Sequence, residues 1–319
     1  MLNFYKIKCD YLKFTGNERL DLIHRLSTND VNSLPKYGVR KTVLTSDKGR
    51  FIDVLTLYNF ADFAFASCSD ENALNVIKHL DKYTIMDDFK AENMVDSHET
   101  ILIYGIDAKK YLGEVFNFDF SKLKEESFKV FDDDGRDTIL YCNDDGFGGI
   151  VFIYSAKDKE YFKMKLFDRK LTEKFAVAET QETEYETKRI LFGIPEFGKE
   201  MNEQTNPLEC GLEKYVSFTK GCYIGQEVIS RLDTYDKVSK HLIGIKLEDR
   251  PTSEIEYNAK ITLEGTECGY ITSFIESEIH GNIGLGFVKT PFLDYTKKYR
   301  IKNKKNLYDC KIIKLPFAN

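Results

Sequence analysis

Apolar positions along the chain change rhythm several times, and each rhythm predicts an element. Leu20, Ile23 and Leu26 recur at three-residue steps behind Thr15-Gly16-Asn17-Glu18, which has the form of a capping box. The spacing predicts a short amphipathic helix over 17–26. Two extended runs, 39–46 and 51–59, flank Asp47-Lys48-Gly49-Arg50. The glycine tolerates the positive φ of a tight turn, and the pair predicts a hairpin. Ala73, Leu74, Ile77 and Leu80 behind Ser69-Asp70-Glu71-Asn72 predict a second helix, and 101–105 a short strand. Such alternation of strands and helices places the chain in the α+β class.

Farther along, 116–120, 138–142 and 150–154 predict aromatic strands separated by acidic turns at 132–135 and 143–146. Those turns lack the ligand series and terminal Glu of a calcium loop and read as solvated. From His241 the texture becomes short strands broken by glycine, over 242–247, 260–263, 268–274, 282–288, 299–302 and 308–313. That is the pattern of a small β-barrel or sandwich. A boundary near 240 follows, with interleaved α+β modules in 1–240 and a C-terminal β-barrel domain in 241–319.

Charge and composition narrow the partners. Among 319 residues, 46 are basic and 52 acidic, for a formal net charge of −6. No global cationic field draws the chain to a phosphate backbone, so direct nucleic-acid binding is not expected. The seven cysteines include no C-x-x-C pair, which predicts reduced thiols in a cytoplasmic setting. Lys6, Lys8, Asp10 and Lys13 interrupt the N-terminal apolar residues, and no apolar run approaches the roughly 18 to 20 residues that span a bilayer. Neither a signal peptide nor a membrane partner is expected. The five histidines, at 24, 79, 98, 241 and 280, show no H-x-x-x-H spacing and sit beside no partner cysteine, so no metal site is predicted.

The most distinctive stretch is 217–232, a loop leading into a helical pattern. Gly221 and Gly225 bracket Cys222 and Tyr223, and Gln226 and Glu227 open a run whose Val228, Ile229 and Leu232 suit a buried face. Cys222 thus stands just before a helix N-terminus with Lys220 two residues away, both of which favour a thiolate, while Glu227 opposes it. The same pattern also fits a half-buried small side chain in a tight turn. Asp53 is a second candidate, because a carboxylate within the apolar run 51–57 is costly unless it is paired or faces a cleft.

Lys220-Gly221-Cys222-Tyr223-Ile224-Gly225-Gln226-Glu227 resembles the K-G-C-[YF]-x-G-Q-E signature of the YgfZ-type folate-binding proteins, in the superfamily of the glycine-cleavage T-protein, an aminomethyltransferase. The segments 20–31, 42–53, 189–212 and 283–288 are similar to further stretches of that family. The resemblance implies a ring of α+β modules with mixed and antiparallel sheets, a small C-terminal β-barrel, and a pocket for tetrahydrofolate. It implies that Cys222 and Asp53 carry the chemistry and that Asp53, Tyr83, Arg189 and Lys240 hold the folate.

The expected function is that of an accessory protein for iron-sulfur cluster assembly or repair, linked to iron-sulfur tRNA-modifying enzymes. Its partners would be iron-sulfur assembly proteins or their client enzymes. The alternative is a tetrahydrofolate-dependent aminomethyl- or methyltransferase of the T-protein type. Two departures argue against that alternative. Val54 follows Asp53 where T-proteins commonly pair two aspartates, and Leu191 stands where they carry a pterin-binding Glu.

Overall fold

The computed structural model describes residues 2–317 apart from 125, 144 and 236, so Asp144 of the acidic turn lies outside the described residues. Two compact units share the chain. One comprises Met1–Ser46, Ile52–Gln181 and Tyr215–Ile224, the other Asp47–Phe51, Glu182–Lys214 and Gly225–Asn319.

The first unit begins with β1 (Leu2–Ile7), β2 (Cys9–Thr15), α1 (Arg19–Leu26), β3 (Val39–Thr45), β4 (Phe51–Asn59), β5 (Ala64–Ser69) and α2 (Ala73–Tyr83). It continues through β6 (Lys90–Asn93), β7 (His98–Tyr104), α3 (Ala108–Phe116), β8 (Phe128–Asp132), β9 (Asp137–Cys142), β10 (Ile150–Ser155), α4 (Lys159–Leu166), α5 (Arg169–Phe175) and β11 (Val177–Glu179). These strands form a five-stranded sheet ordered β3-β4-β5-β2-β6 and a six-stranded one ordered β11-β1-β7-β10-β9-β8. The β1–β7, β7–β10, β10–β9, β9–β8, β2–β5, β2–β6 and β4–β5 pairings are antiparallel, and the β1–β11 pairing is parallel. Leu22, Ile23 and Leu26 of α1 and Val76 and Leu80 of α2 bury one helical face each in the core of the five-stranded sheet. The α3, α4 and α5 helices do the same for the six-stranded sheet through Tyr111, Leu112, Phe162 and Phe175. Tyr58 joins the two sheets, its ring 5.8 Å from Phe128 and 5.5 Å from Tyr141, both edge-on.

Two local expectations are corrected. The capping box does not form: Glu18 occupies the N-cap without a capping bond, and its carboxylate accepts instead from the Asp88 amide at 2.7 Å. Residues 116–120 are not a strand. Tyr111, Leu112 and Val115 share a helical face, and Asn117 ends the helix in the left-handed region at φ 49°. The Phe118 amide then bonds the Gly113 carbonyl at 3.2 Å, as a helix C-terminus requires.

The second unit contains α6 (Glu182–Phe192), α7 (Gln226–Thr234) and the strands β12 (Lys240–Leu247), β13 (Lys260–Leu263), β14 (Thr266–Ser277), β15 (Gly281–Lys289), β16 (Tyr299–Asn303) and β17 (Asn306–Ile313). These six strands close into a barrel ordered β12-β15-β14-β13-β16-β17 around Ile243, Ile245, Ile261, Ile271 and Ile301. The glycines that break the strand pattern let neighbouring backbones meet. A Cβ at Gly269 would lie 2.1 Å from the Phe287 carbonyl oxygen, and one at Gly286 2.5 Å from that of Tyr270. Helix α6 lies against β14 and β15.

Candidate functional site

Residues 217–224 form a loop pinned to the end of α1. The Ser217 amide donates to the Thr28 carbonyl and the Ile224 amide to that of Arg25, each at 2.9 Å, while Thr45 Oγ1 donates to the Ile224 carbonyl at 2.7 Å. Lys220 fastens the loop's centre. Its Nζ donates to the carbonyls of His24, Ser27 and Asn29 at 2.5, 2.8 and 2.8 Å. The His24 and Ser27 carbonyls belong to the last turn and C-cap of α1, which lack intrahelical donors and carry partial negative charge, and the ammonium supplies them, and the Asn29 carbonyl beyond, with N–H groups. Burial nonetheless pushes the Lys220 pKa down to about 8. Burial, and then the Lys220 charge, also depress His24. The His24 Nδ1 accepts from the amides of Val31 and Asn32 at 3.2 and 3.3 Å.

Cys222 is exposed at this loop, whereas Tyr223 is buried beneath it. The Lys220 ammonium lies 5.0 Å from the centre of the Tyr223 ring. The Tyr223 hydroxyl makes no hydrogen bond among the described residues, and burial lifts its pKa to about 12. The three Lys220 N–H groups are directed at the α1-end carbonyls. Gly221 has neither a positive φ nor a neighbour that a Cβ would strike, so it does not need to be glycine on steric grounds. Gly225 does, at φ 81° as the N-cap of α7. In α7, Gln226 and Glu227 form the first turn; Ile229 is buried, but Val228 is 38% exposed, so the expected apolar face is narrower.

Asp53 lies fully buried on β4. Its carboxylate accepts from the Val54 amide at 2.7 Å, Ser69 Oγ at 2.7 Å, the Ser69 amide at 3.1 Å and Asn72 Nδ2 at 2.8 Å. Burial raises its pKa against the pull of these donors. Strand alternation puts Asp53 on the core side with Leu55, and half-exposed Ile52 and Val54 on the other. The carboxylate thus ties β4 to the turn between β5 and α2. Tyr83 ends α2 with a half-buried ring 5.2 Å from that of His79, and its hydroxyl accepts from Lys82 Nζ at 3.2 Å. Tyr83 and Ile224 of the loop both pack against the core behind β4.

Arg189 and Lys240 belong to the second unit, as do Gly225, Gln226 and Glu227. Arg189 is buried, and its five N–H groups donate to Glu186 Oε1 and Oε2, the Ile194 carbonyl, Glu200 Oε2 and Ser273 Oγ at 2.6 to 3.0 Å. Burial opposes its charge, and Glu186 and Glu200 outweigh that and raise its pKa. Glu200, fully buried, also accepts from Thr272 Oγ1, Ser273 Oγ and the Glu196 amide. Lys240 donates to the Gln204 carbonyl at 3.2 Å and Tyr270 Oη at 3.0 Å, its pKa lowered by burial. Leu191 packs in an apolar cluster with Ile190, Leu242 and Leu315.

Four residues central to this geometry were not expected at the site: Ser69 and Asn72, read only as the opening of α2, and Glu200 and Glu209. Glu209 is buried and accepts from Ser239 Oγ at 2.6 Å and Arg50 at 3.3 Å. Both glutamates lie within the stretch 189–212, and the resemblance of that stretch to the family pattern, which carries an acid at each position, was their signal.

Comparison with known proteins bears on the whole chain. Residues 240–318 match the glycine cleavage T-protein C-terminal barrel domain. The aminomethyltransferase of Flavobacterium psychrophilum is 25% identical over 307 residues, spanning 95% of this chain and 83% of that protein. The aminomethyltransferase of Staphylococcus carnosus is 25% identical over 312 residues, spanning 94% and 82%. The crystal structure of the glycine cleavage system aminomethyltransferase T from Bartonella henselae superposes with a TM-score of 0.85 at 15% identity, covering 99% of this chain and 86% of that one. The chain thus shares the fold of that aminomethyltransferase, and its residues 240–318 match the T-protein C-terminal barrel domain.

Proposed function

We propose that this chain is a one-carbon transferase of the T-protein type, with tetrahydrofolate as the acceptor. The observation that carries the reading is similarity along nearly the whole chain, barrel included, to proteins named aminomethyltransferase. It favours the alternative over the iron-sulfur accessory role that the Lys-Gly-Cys motif led us to expect.

The residues expected to hold the folate do not fit that role by themselves. The Asp53 acceptors are filled by Val54, Ser69 and Asn72, and the Arg189 donors by its own unit. At the position of the pterin acid, Leu191 offers only apolar contact. Tyr83 keeps a half-buried ring, and Lys240 is partly engaged. A folate on this chain would therefore be held through other groups.

Calorimetric titration of the reduced protein with tetrahydrofolate tests the first half of the reading. Formation of methylene-tetrahydrofolate from an aminomethylated lipoyl carrier tests the second. Turnover supports the transferase; binding without turnover removes it and leaves an accessory role; neither removes both the cofactor and the reaction.

One observation favours a second reading, that of a YgfZ-like protein serving iron-sulfur enzymes. Cys222 is presented to solvent by a loop fastened at both ends. Full restoration of iron-sulfur tRNA-modifying activity by Cys222→Ala, in a strain lacking the wild-type gene, would remove it.

A further inference from the structure

A cavity of about 260 Å³ opens within the first unit, away from the Lys220 loop and Asp53. Its floor is apolar: Phe65, Ile139 and Ile153 are buried. At its side, the rings of Phe60 and Phe63 lie parallel, 4.5 Å apart, in the turn between β4 and β5. His98 completes the wall, its ring held against Phe65 at 4.8 Å and its Nδ1 by Ser97 Oγ at 2.7 Å.

Two charges of opposite sign line this space, Lys13 half-buried and Asp137 exposed at its rim. Lys13 on β2 reaches over the Phe63 ring at 4.8 Å, and Asp137 begins β9 on the other sheet. Neither side chain enters an ion pair or a hydrogen bond among the described residues. Opposite charges held apart beside an aromatic floor are complementary to a zwitterion with a flat apolar body. Its carboxylate would meet Lys13, its ammonium Asp137, and its ring the phenylalanines. The volume lies just below the range of drug-sized sites, about 300–1,000 Å³, and admits one small molecule.

We propose that this cavity is a binding site for a free aromatic amino acid, carried by the unpaired Lys13 and Asp137 on either side of the Phe60–Phe63 aromatic wall. The test is calorimetric titration of the full chain at neutral pH with L-phenylalanine, L-tyrosine and L-tryptophan. Phenylacetate lacks the ammonium, phenethylamine lacks the carboxylate, and L-serine lacks the ring. At least one aromatic amino acid is expected to bind with a dissociation constant below about 1 mM. Each of the three controls is expected to bind at least about tenfold more weakly. Lys13→Met at a half-buried position and Asp137→Asn at an exposed one should each cost about tenfold while leaving the circular dichroism spectrum unchanged. Absence of binding by all three amino acids overturns the proposal. So does equal binding of phenylacetate or phenethylamine, or affinity that neither variant changes. Amide chemical-shift changes on titration should centre on Lys13, Phe63 and His98, and changes confined to other residues would place the ligand elsewhere.

Discussion

Replacing Arg189 with methionine removes the cation from a buried site in the second unit while keeping most of the side chain's length. Five hydrogen bonds are lost at once. Glu186 and Glu196, 19% and 44% exposed, can turn toward water, so the cost concentrates on Glu200, whose side chain is 0% exposed. Removing one member of such a pair typically costs about 3–5 kcal/mol, because it leaves a buried charge uncompensated. Glu200 retains donors from Thr272, Ser273 and the Glu196 amide, which sets the expectation at the lower end, about 3 kcal/mol. Urea unfolding followed by far-ultraviolet circular dichroism suits a chain without tryptophan. Hydrogen exchange of α6 and β14 shows where the loss falls. The double variant Arg189→Met with Glu200→Gln should be more stable than the sum of its single changes by at least about 1 kcal/mol, since it also removes the stranded charge. A loss below about 1 kcal/mol for Arg189→Met, or strict additivity, would refute the account of a coupled buried pair.

Three further outcomes follow from the geometry. Lys220→Met should raise amide exchange at Ser217 and Ile224 and lower stability by about 1–3 kcal/mol, because three carbonyls lose a charged donor; unchanged exchange would show that the lysine does not fasten the loop. Asp53→Asn should cost about 1–3 kcal/mol by turning an N–H₂ group toward donors that now meet a carboxylate, and should leave any folate affinity within threefold, as the side chain has no free edge; a large loss of affinity with intact stability would assign Asp53 to the ligand. Burial alone would raise the Glu186 pKa, but the hydrogen bonds and charge of Arg189, with Lys199, hold it below its ordinary value. A carboxyl depressed in the folded state contributes stability above its unfolded pKa and loses it as pH falls through the folded one, so Glu186→Gln should flatten the acid side of the stability profile, and an unchanged slope below pH ~4.5 would contradict it.

Periodicity by itself makes most elements legible. The strands of the barrel fall where glycine-broken apolar runs predict them, and α1 and α2 where three- and four-residue spacing does. The departures at 116–120 and at the capping box share a cause, a local pattern settled by something outside it. A run of aromatics is compatible with both a strand and a helix end, and the left-handed Asn117 decided between them. Glu18 found a better donor in Asp88, 70 residues away.

The sequence alone determined the α+β class, the closing barrel and the resemblance to the T-protein superfamily, because those depend on local spacing and on motifs read in order. Tertiary structure alone decided what the candidate residues do. Whether a carboxylate such as Asp53 faces a ligand or four donors of its own chain depends on where strand alternation and distant turns bring Ser69 and Asn72. The five donors of Arg189 were likewise committed by residues up to 84 positions away, on α6, the following loop and β14. Local sequence states that a charge must be satisfied when buried; only the folded chain supplies the group that satisfies it.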